Sequence, residues 1–296
     1  MAFGPAPIVV FACALFLAAP TTEPADTASH RGVELRSFRF VDTSRVARFR
    51  NGGHGPRRLL TYVRYPGSGS GPFPLVVFGH GFTATPATYA RLLDAWARAG
   101  YVVAAPLFPV ENAHAPGGPD ESDLINEPTD ISFVISQLLA ANARPTSPLH
   151  GLINPAQVAV AGQSDGAEAA LAAAYDHRFA DPRIRAAVIL SGAELGGRTT
   201  WFGPGSPPLL AVQGTADTIN PPRYAMQFFR AAARPKFLLE LLHAGHLAPY
   251  TTDLRELTIV EDATIAFLDH YLKHASIRRL LTAATDPGLT RLLADT

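Results

Sequence analysis

Cysteine, lysine and long apolar runs are all scarce in this 296-residue chain. Cys13 is the only cysteine, and it lies in an apolar N-terminal stretch. A mature chain without that stretch has no disulfide, no thiol nucleophile and no cysteine-ligated zinc. Basic and acidic residues number 25 each, so the formal net charge is zero. This balance gives no reason to expect nucleic acid or an anionic membrane surface as a partner.

The N-terminal apolar stretch covers residues 7–20 and reads PIVVFACALFLAAP. Its length is typical of a signal-peptide core and too short to span a bilayer, and Ala18 and Ala19 offer a cleavage site. No Lys or Arg precedes Arg31, which is unusual for such a signal. We therefore expect residues 1–28 to be a signal peptide and polar linker. Residues 29–296 then form one domain of a secreted, periplasmic or cell-envelope monomer without a membrane span.

Short, continuously apolar runs recur along the chain and alternate with helical patterns. Six of them predict strands that are buried on both faces of a parallel sheet: residues 75–78, 101–105, 158–161, 186–190, 209–212 and 237–242. Residues 34–40 and 59–65 alternate polar and apolar side chains and predict antiparallel edge strands. The helices are expected near residues 86–100, 128–143, 165–175, 221–233 and 257–272. The order predicts an α/β fold with a mostly parallel, doubly wound sheet of about eight strands.

A glycine-flanked serine follows the third of the buried strands. The stretch Gly162-Gln163-Ser164-Asp165-Gly166 has the Gly-x-Ser-x-Gly pattern of a nucleophile elbow, and it lies between a strand and a helix. The strained turn needs neighbours without bulky side chains, which the two glycines provide. The other interpretation is a tight turn in which the serine only caps the next helix. We interpret Ser164 as a nucleophile.

An acyl-transfer site also needs two backbone N–H groups directed at the oxyanion. The elbow supplies that of Asp165, and the loop Gly79-His80-Gly81-Phe82 supplies a second, which we assign to Phe82. His80 is expected to organise this loop rather than to carry a proton.

The acid and the base are expected after later strands, because ligand sites lie at the carboxyl ends of parallel strands. Asp217 follows the strand at 209–212, and Glu194 is an alternative acid after the preceding strand. His243 and His246 follow the last buried strand, and we assign the base to His246 because it lies deeper in the loop. No third ligand stands at metal-binding spacing, so no metal or cofactor is expected.

The order Ser164, Asp217, His246 with the upstream Gly79–Phe82 loop resembles the α/β-hydrolase superfamily. Within it, the chain is similar to the dienelactone-hydrolase-like, platelet-activating-factor-acetylhydrolase-like and bacterial cutinase (polyesterase) group. GHGFTATPATYARLLDAWARAGYVVAAP (residues 79–106) resembles the cutinase loop PGYTA with its following helix, and NEPTDISFVISQLL (residues 126–139) resembles the dienelactone-like members. By this resemblance Phe82 is also a wall of the acyl cleft.

The chain also departs from that group at several positions. Cutinases usually have Met where Asp165 stands, and dienelactone hydrolases use Cys where Ser164 stands. Phe108, Trp201 and Phe202 lie in long Gly- and Pro-rich loops, and we consider them as further substrate contacts or as loop packing. The sequence predicts a carboxylic ester hydrolase acting on a small-molecule or polymeric ester through an acyl-enzyme. The alternatives are an acyltransferase, a serine peptidase or a non-catalytic binding protein of the same fold.

Overall fold

A single ten-stranded sheet dominates the computed structural model, which describes residues 25–30, 32–69, 71–196 and 202–296. Its spatial order is β1-β2-β3-β5-β4-β6-β7-β8-β9-β10. The strands are β1 Ala25–His30, β2 Val33–Arg48, β3 His54–Pro66, β4 Phe73–Gly79, β5 Val102–Leu107, β6 Ile153–Gln163, β7 Ile184–Leu190, β8 Leu209–Gly214, β9 Lys236–Leu241 and β10 Thr290–Asp295. β4 to β9 run parallel, whereas β1 to β3 at one edge and β10 at the other are antiparallel.

Helices cover both faces of this sheet. They are α1 Ala90–Arg98, α2 Glu127–Ala143, α3 Asp165–Tyr175, α4 Pro222–Ala231, α5 Ala248–Thr251, α6 Leu254–Lys273 and α7 Arg278–Ala283, with 3₁₀ turns at Pro86–Tyr89 and Glu121–Asn126. α2, α3 and α4 pack on one face of the sheet, and α1, α6 and α7 pack on the other. The parallel strands are buried on both faces, as their uninterrupted apolar runs require. Among the described helices, none is long and apolar enough to cross a membrane.

This architecture is the α/β fold with a mostly parallel, doubly wound sheet that the sequence predicts. The sheet has ten strands rather than about eight, because β1 and β10 extend its two edges. β1 begins at Ala25, inside the segment that the sequence analysis treats as a linker, and pairs with β2. The carboxyl ends of β4, β6, β8 and β9 all meet at one edge, so the loops that follow these strands converge there.

Candidate active site

Ser164 occupies a sharp turn between β6 and α3. Its backbone lies at φ 56° and ψ −125°, a conformation that is strained for a residue with a side chain. The turn is crowded: a Cβ on Gly162 would lie 2.1 Å from the carbonyl oxygen of Gly166. A Cβ on Gly166 would in turn lie 2.2 Å from the backbone of Gly79 at the end of β4. The glycines therefore allow the close approach of strand, turn and helix that holds Ser164 in place.

The turn brings Ser164 within hydrogen-bonding distance of His246. Ser164 Oγ lies 2.9 Å from His246 Nε2, and His246 Nδ1 lies 2.8 Å from Asp217 Oδ2. An ionised carboxylate accepts a hydrogen bond, so Asp217 fixes the imidazole tautomer with its proton on Nδ1. Nε2 is then free to accept the proton of the Ser164 hydroxyl. The three residues come from the loops after β6, β8 and β9 and form one continuous hydrogen-bonded chain.

Asp217 is held by its own loop. Its Oδ1 accepts hydrogen bonds from the N–H groups of Ile219 and Asn220, both at 2.9 Å, and its Oδ2 accepts one from the Gln213 amide at 3.2 Å. Burial raises the pKa of the Asp217 carboxyl. The hydrogen bonds from His246 and from the Asn220 backbone outweigh burial and hold the pKa below its ordinary value. Asp217 is therefore an ionised, pre-oriented partner for the imidazole.

The two alternative residues from the sequence analysis lie elsewhere. Glu194 is buried in a separate cavity of about 290 Å³, which Glu168 and Asn220 also line. Burial raises the pKa of Glu194 to about 7, so this group is a weaker candidate for a permanent anion than Asp217. His243 is exposed, and its backbone N–H donates to Thr215 Oγ1 at 2.8 Å. The geometry thus favours Asp217 and His246 over Glu194 and His243.

The loop after β4 carries the predicted oxyanion donor Phe82. His80 in this loop is fully buried, and burial lowers its pKa to about 4, so its ring is neutral at pH 7. Its Nδ1–H donates to the Gly81 carbonyl at 2.9 Å, and its Nε2 accepts the N–H of Phe108 at 3.0 Å. His80 therefore organises the loop. The loop is also held at Thr83, whose N–H donates to the Glu111 carbonyl at 3.0 Å.

Gln163, the residue before Ser164, joins the oxyanion loop to the histidine loop. Its Oε1 accepts the Tyr89 hydroxyl at 2.6 Å, and the same hydroxyl oxygen accepts the N–H of Gly81 at 3.3 Å. Its Nε2 donates to the His246 carbonyl at 3.0 Å and lies 3.3 Å from His246 Nε2. The roles of Gln163 and Tyr89 could not be predicted from the sequence, because their partners are distant along the chain.

Asp165, the other predicted oxyanion donor, begins α3. As the first residue of the helix, it has a backbone N–H with no intrahelical acceptor, which leaves that group available to a ligand. Its side chain is buried, and Oδ1 lies 3.5 Å from Ser164 Oγ. Burial, reinforced by the negative charge of Glu121, raises the pKa of Asp165 to about 6. A partly protonated carboxyl therefore lies beside the candidate nucleophile.

A cleft of about 410 Å³ opens above Ser164 and His246. Phe82 lines one side of this cleft, as the resemblance implies. Ile219 and Leu247 line it as well, and they are 66% and 41% exposed. Ile219 stands two residues after Asp217 and Leu247 directly follows His246. Together they give the cleft an apolar rim that was not expected from the sequence.

The other predicted substrate contacts do not line this cleft. Phe108 is fully buried and packs against His80, with 4.9 Å between the ring centroids. Phe202 packs against Tyr175 at the end of α3, at 4.8 Å. Both aromatic rings therefore pack the loops instead of contacting the cleft, and burying their apolar surface against neighbouring rings stabilises those loops. Trp201 lies outside the described residues.

The fold and this site define the class: an α/β-hydrolase with a strand–turn–helix elbow at Ser164. A family model for chlorophyllase matches residues 41–193, more than half of the chain, and the chain belongs to that family. The family is part of the α/β-hydrolase superfamily of esterases, which places the chain among the ester hydrolases. A search of curated proteins finds no match. The matched segment includes the loops of Phe82 and Ser164 and ends before those of Asp217 and His246.

The described residues offer no cluster of three or more His, Cys, Asp or Glu side chains that could hold a metal ion. The Ser164–His246–Asp217 chain requires none for proton transfer. The hydrogen-bonded chain of Ser164, His246 and Asp217 has the geometry for nucleophilic attack assisted by an imidazole base.

Proposed function

We propose that the chain is a serine carboxylic-ester hydrolase with Ser164 as nucleophile, His246 as general base and Asp217 as the acid. The observation that carries the proposal is the continuous hydrogen-bonded chain, with 2.9 Å between Ser164 Oγ and His246 Nε2 and 2.8 Å between His246 Nδ1 and Asp217 Oδ2. The strained backbone of Ser164 supports it, because such conformations persist where the surrounding fold imposes them for function.

In the proposed reaction, Ser164 Oγ attacks the ester carbonyl carbon while His246 Nε2 takes the hydroxyl proton. The backbone N–H groups of Phe82 and Asp165 stabilise the oxyanion of the tetrahedral intermediate. The carbon–oxygen ester bond then breaks, and the alcohol leaves with the proton held by His246. Water, deprotonated by His246, releases the carboxylic acid from the acyl-enzyme and restores Ser164.

We propose that the substrate is an ester with an apolar acyl or alcohol part, as in a cutinase or polyesterase. Phe82, Ile219 and Leu247 support this assignment, because they give the cleft apolar walls beside Ser164. A panel of esters from acetate to palmitate, together with an insoluble polyester, tests it. Preference for acetate over all longer chains, with no activity on the polymer, would contradict an apolar chain-binding cleft.

The triad assignment is tested by hydrolysis of p-nitrophenyl esters. Ser164→Ala is expected to lower kcat/KM by roughly 10⁴ or more. Asp217→Asn is expected to lower it by roughly 10⁴ because the imidazole then adopts the wrong tautomer. Glu194→Gln is the matched control and should retain activity. A large loss only in Glu194→Gln would refute the triad assignment. Peptide release without ester turnover would instead contradict the ester-hydrolase function and favour a serine peptidase with the same triad.

Export of the chain remains a proposal that rests on the apolar residues 7–20 alone, which lie outside the described part. N-terminal sequencing of the protein recovered from the culture medium or periplasm tests it. An intact N-terminus in the cytoplasm would contradict the proposed signal peptide.

A further inference from the structure

A second cavity, of about 270 Å³, lies beside the candidate active site. The 3₁₀ turn at Pro86–Tyr89 separates the two spaces. Ala87 lines the second cavity, whereas Thr88 and Tyr89 line the cleft above Ser164. Its remaining walls come mainly from the antiparallel edge of the sheet and include Tyr62 and Arg64 of β3. This cavity therefore has its own lining and is distinct from the cleft.

Arg64 is the unusual member of that lining. Its residue is only 5% exposed, and its Nε donates to Asp94 Oδ1 at 2.9 Å. Its Nη1 is buried and has no hydrogen-bond partner among the described residues. Arginine has five N–H donors, and a buried donor without an acceptor is unfavourable. Arg64 lines the cavity, and Asp94 is the only hydrogen-bond partner of its guanidinium among the described residues. The N–H groups of Nη2 are therefore left for an acceptor that a ligand brings.

The rest of the lining restricts what that ligand is. Tyr62 and His114 add polar groups near Arg64, and His114 is exposed at the mouth. Leu35, Ala87 and Leu107 form apolar walls. The planar guanidinium fork matches a carboxylate better than a single neutral acceptor. The apolar walls favour a hydrocarbon body over a bare inorganic anion, and the volume is that of a small molecule.

We propose that this cavity binds a small organic carboxylate with an apolar body, its carboxylate on Arg64 and its hydrocarbon part against Leu35, Ala87 and Leu107. Burial lowers the pKa of Arg64 despite the charge of Asp94, in keeping with an incompletely compensated cation. The site does not depend on the hydrolytic function proposed above, since neither Ser164 nor His246 lines it. A carboxylic acid released by ester hydrolysis would belong to the same ligand class.

The test is calorimetric titration of the full chain with hexanoate, with hexanamide as the uncharged probe. Hexanoate is expected to bind with a stoichiometry of one and hexanamide much more weakly. Arg64→Gln should weaken hexanoate binding by about tenfold or more, because a charge-assisted hydrogen bond is lost. Ala87→Phe should weaken it similarly by filling the cavity. Ala87 is exposed, so this second variant tests the site even if Arg64→Gln does not fold.

Ile219→Ser, on the rim of the catalytic cleft, is the matched control and should leave hexanoate binding unchanged. The proposal is overturned if hexanoate and hexanamide bind equally, or if no heat is detected at millimolar concentrations. It is also overturned if Ile219→Ser abolishes binding while Ala87→Phe does not. That last outcome would place the carboxylate in the cleft above Ser164 and would leave the triad assignment intact.

Discussion

Replacing Glu111 by glutamine is expected to stabilise the protein at alkaline pH. Glu111 and Glu127 are fully buried and lie close to Asp165. Two ionised carboxylates cannot donate to one another, and the described part of the chain offers neither of them another hydrogen-bond donor. A proton on the pair makes the hydrogen bond between them possible. Burial, with the negative charge of Asp165 next in importance, raises the pKa of Glu111 from an ordinary 4.5 to about 9.

The sign and size follow from linkage between protonation and folding. Because the folded pKa of Glu111 is raised, its contribution to stability is fully present below about pH 4.5 and is lost as the pH rises towards 9. Each pKa unit corresponds to about 1.4 kcal/mol. At pH 8 the unfolded chain ionises this carboxyl whereas the folded protein keeps it protonated, so the free energy of unfolding is up to about 5 kcal/mol lower than it is below pH 4.5. The amide in Glu111→Gln needs no proton and can still hydrogen-bond Glu127. We expect the variant to be more stable at pH 8 by at least about 2 kcal/mol, and similar to the parent at pH 5.

Urea unfolding followed by circular dichroism at pH 5, 6, 7, 8 and 9 measures this difference. The gap between Glu111→Gln and the parent should widen steadily with pH. Asp262→Asn is the matched control, because Asp262 is an exposed carboxylate on α6, on the opposite face of the sheet. A gap that stays constant across the range, or one that the control reproduces, would refute the buried, protonated carboxyl pair.

Three further predictions concern the site itself. Gly162→Ala should destabilise the fold by more than about 4 kcal/mol, measured by thermal unfolding, because its Cβ would lie 2.1 Å from Gly166 O. Gln163→Leu should lower kcat by about tenfold or more with little change in KM, since it releases both Tyr89 and the His246 loop; an unchanged kcat would contradict the positioning role. Ile219→Ser should raise KM for long-chain esters severalfold while leaving acetate esters unaffected, which steady-state kinetics with both substrates checks.

The parallel core of the fold could be read from the sequence because its signal is local. Each buried strand, such as residues 158–161, is a short apolar run between turn residues, and burial on both faces requires that pattern. β10 was not predicted because Thr290–Asp295 is half-exposed and lacks the uninterrupted apolar run of the buried strands. Its partner β9 lies about fifty residues earlier, so nothing local marks the pairing.

The positions of Ser164, Asp217 and His246 were accessible for a related reason. Parallel topology sends the loops after β6, β8 and β9 to one edge, so a strand assignment already places these side chains together. The sequence left substrate contact and loop packing open for Phe108 and Phe202, because an aromatic residue in a loop carries no sign of the direction it faces. Both rings turned inward, where they bury more surface.

Gln163 shows why the rest of the site could be identified only from the structure. The Gly-x-Ser-x-Gly pattern allows any residue at this position. Nevertheless, the amide of Gln163 contacts Tyr89 and His246, which are 74 and 83 residues away. The His246 carbonyl can only accept, so the amide nitrogen must face it and the amide oxygen must face the Tyr89 hydroxyl. That orientation also leaves the amide nitrogen 3.3 Å from His246 Nε2. The residue beside the candidate nucleophile therefore joins the Tyr89 side of the site to the His246 loop.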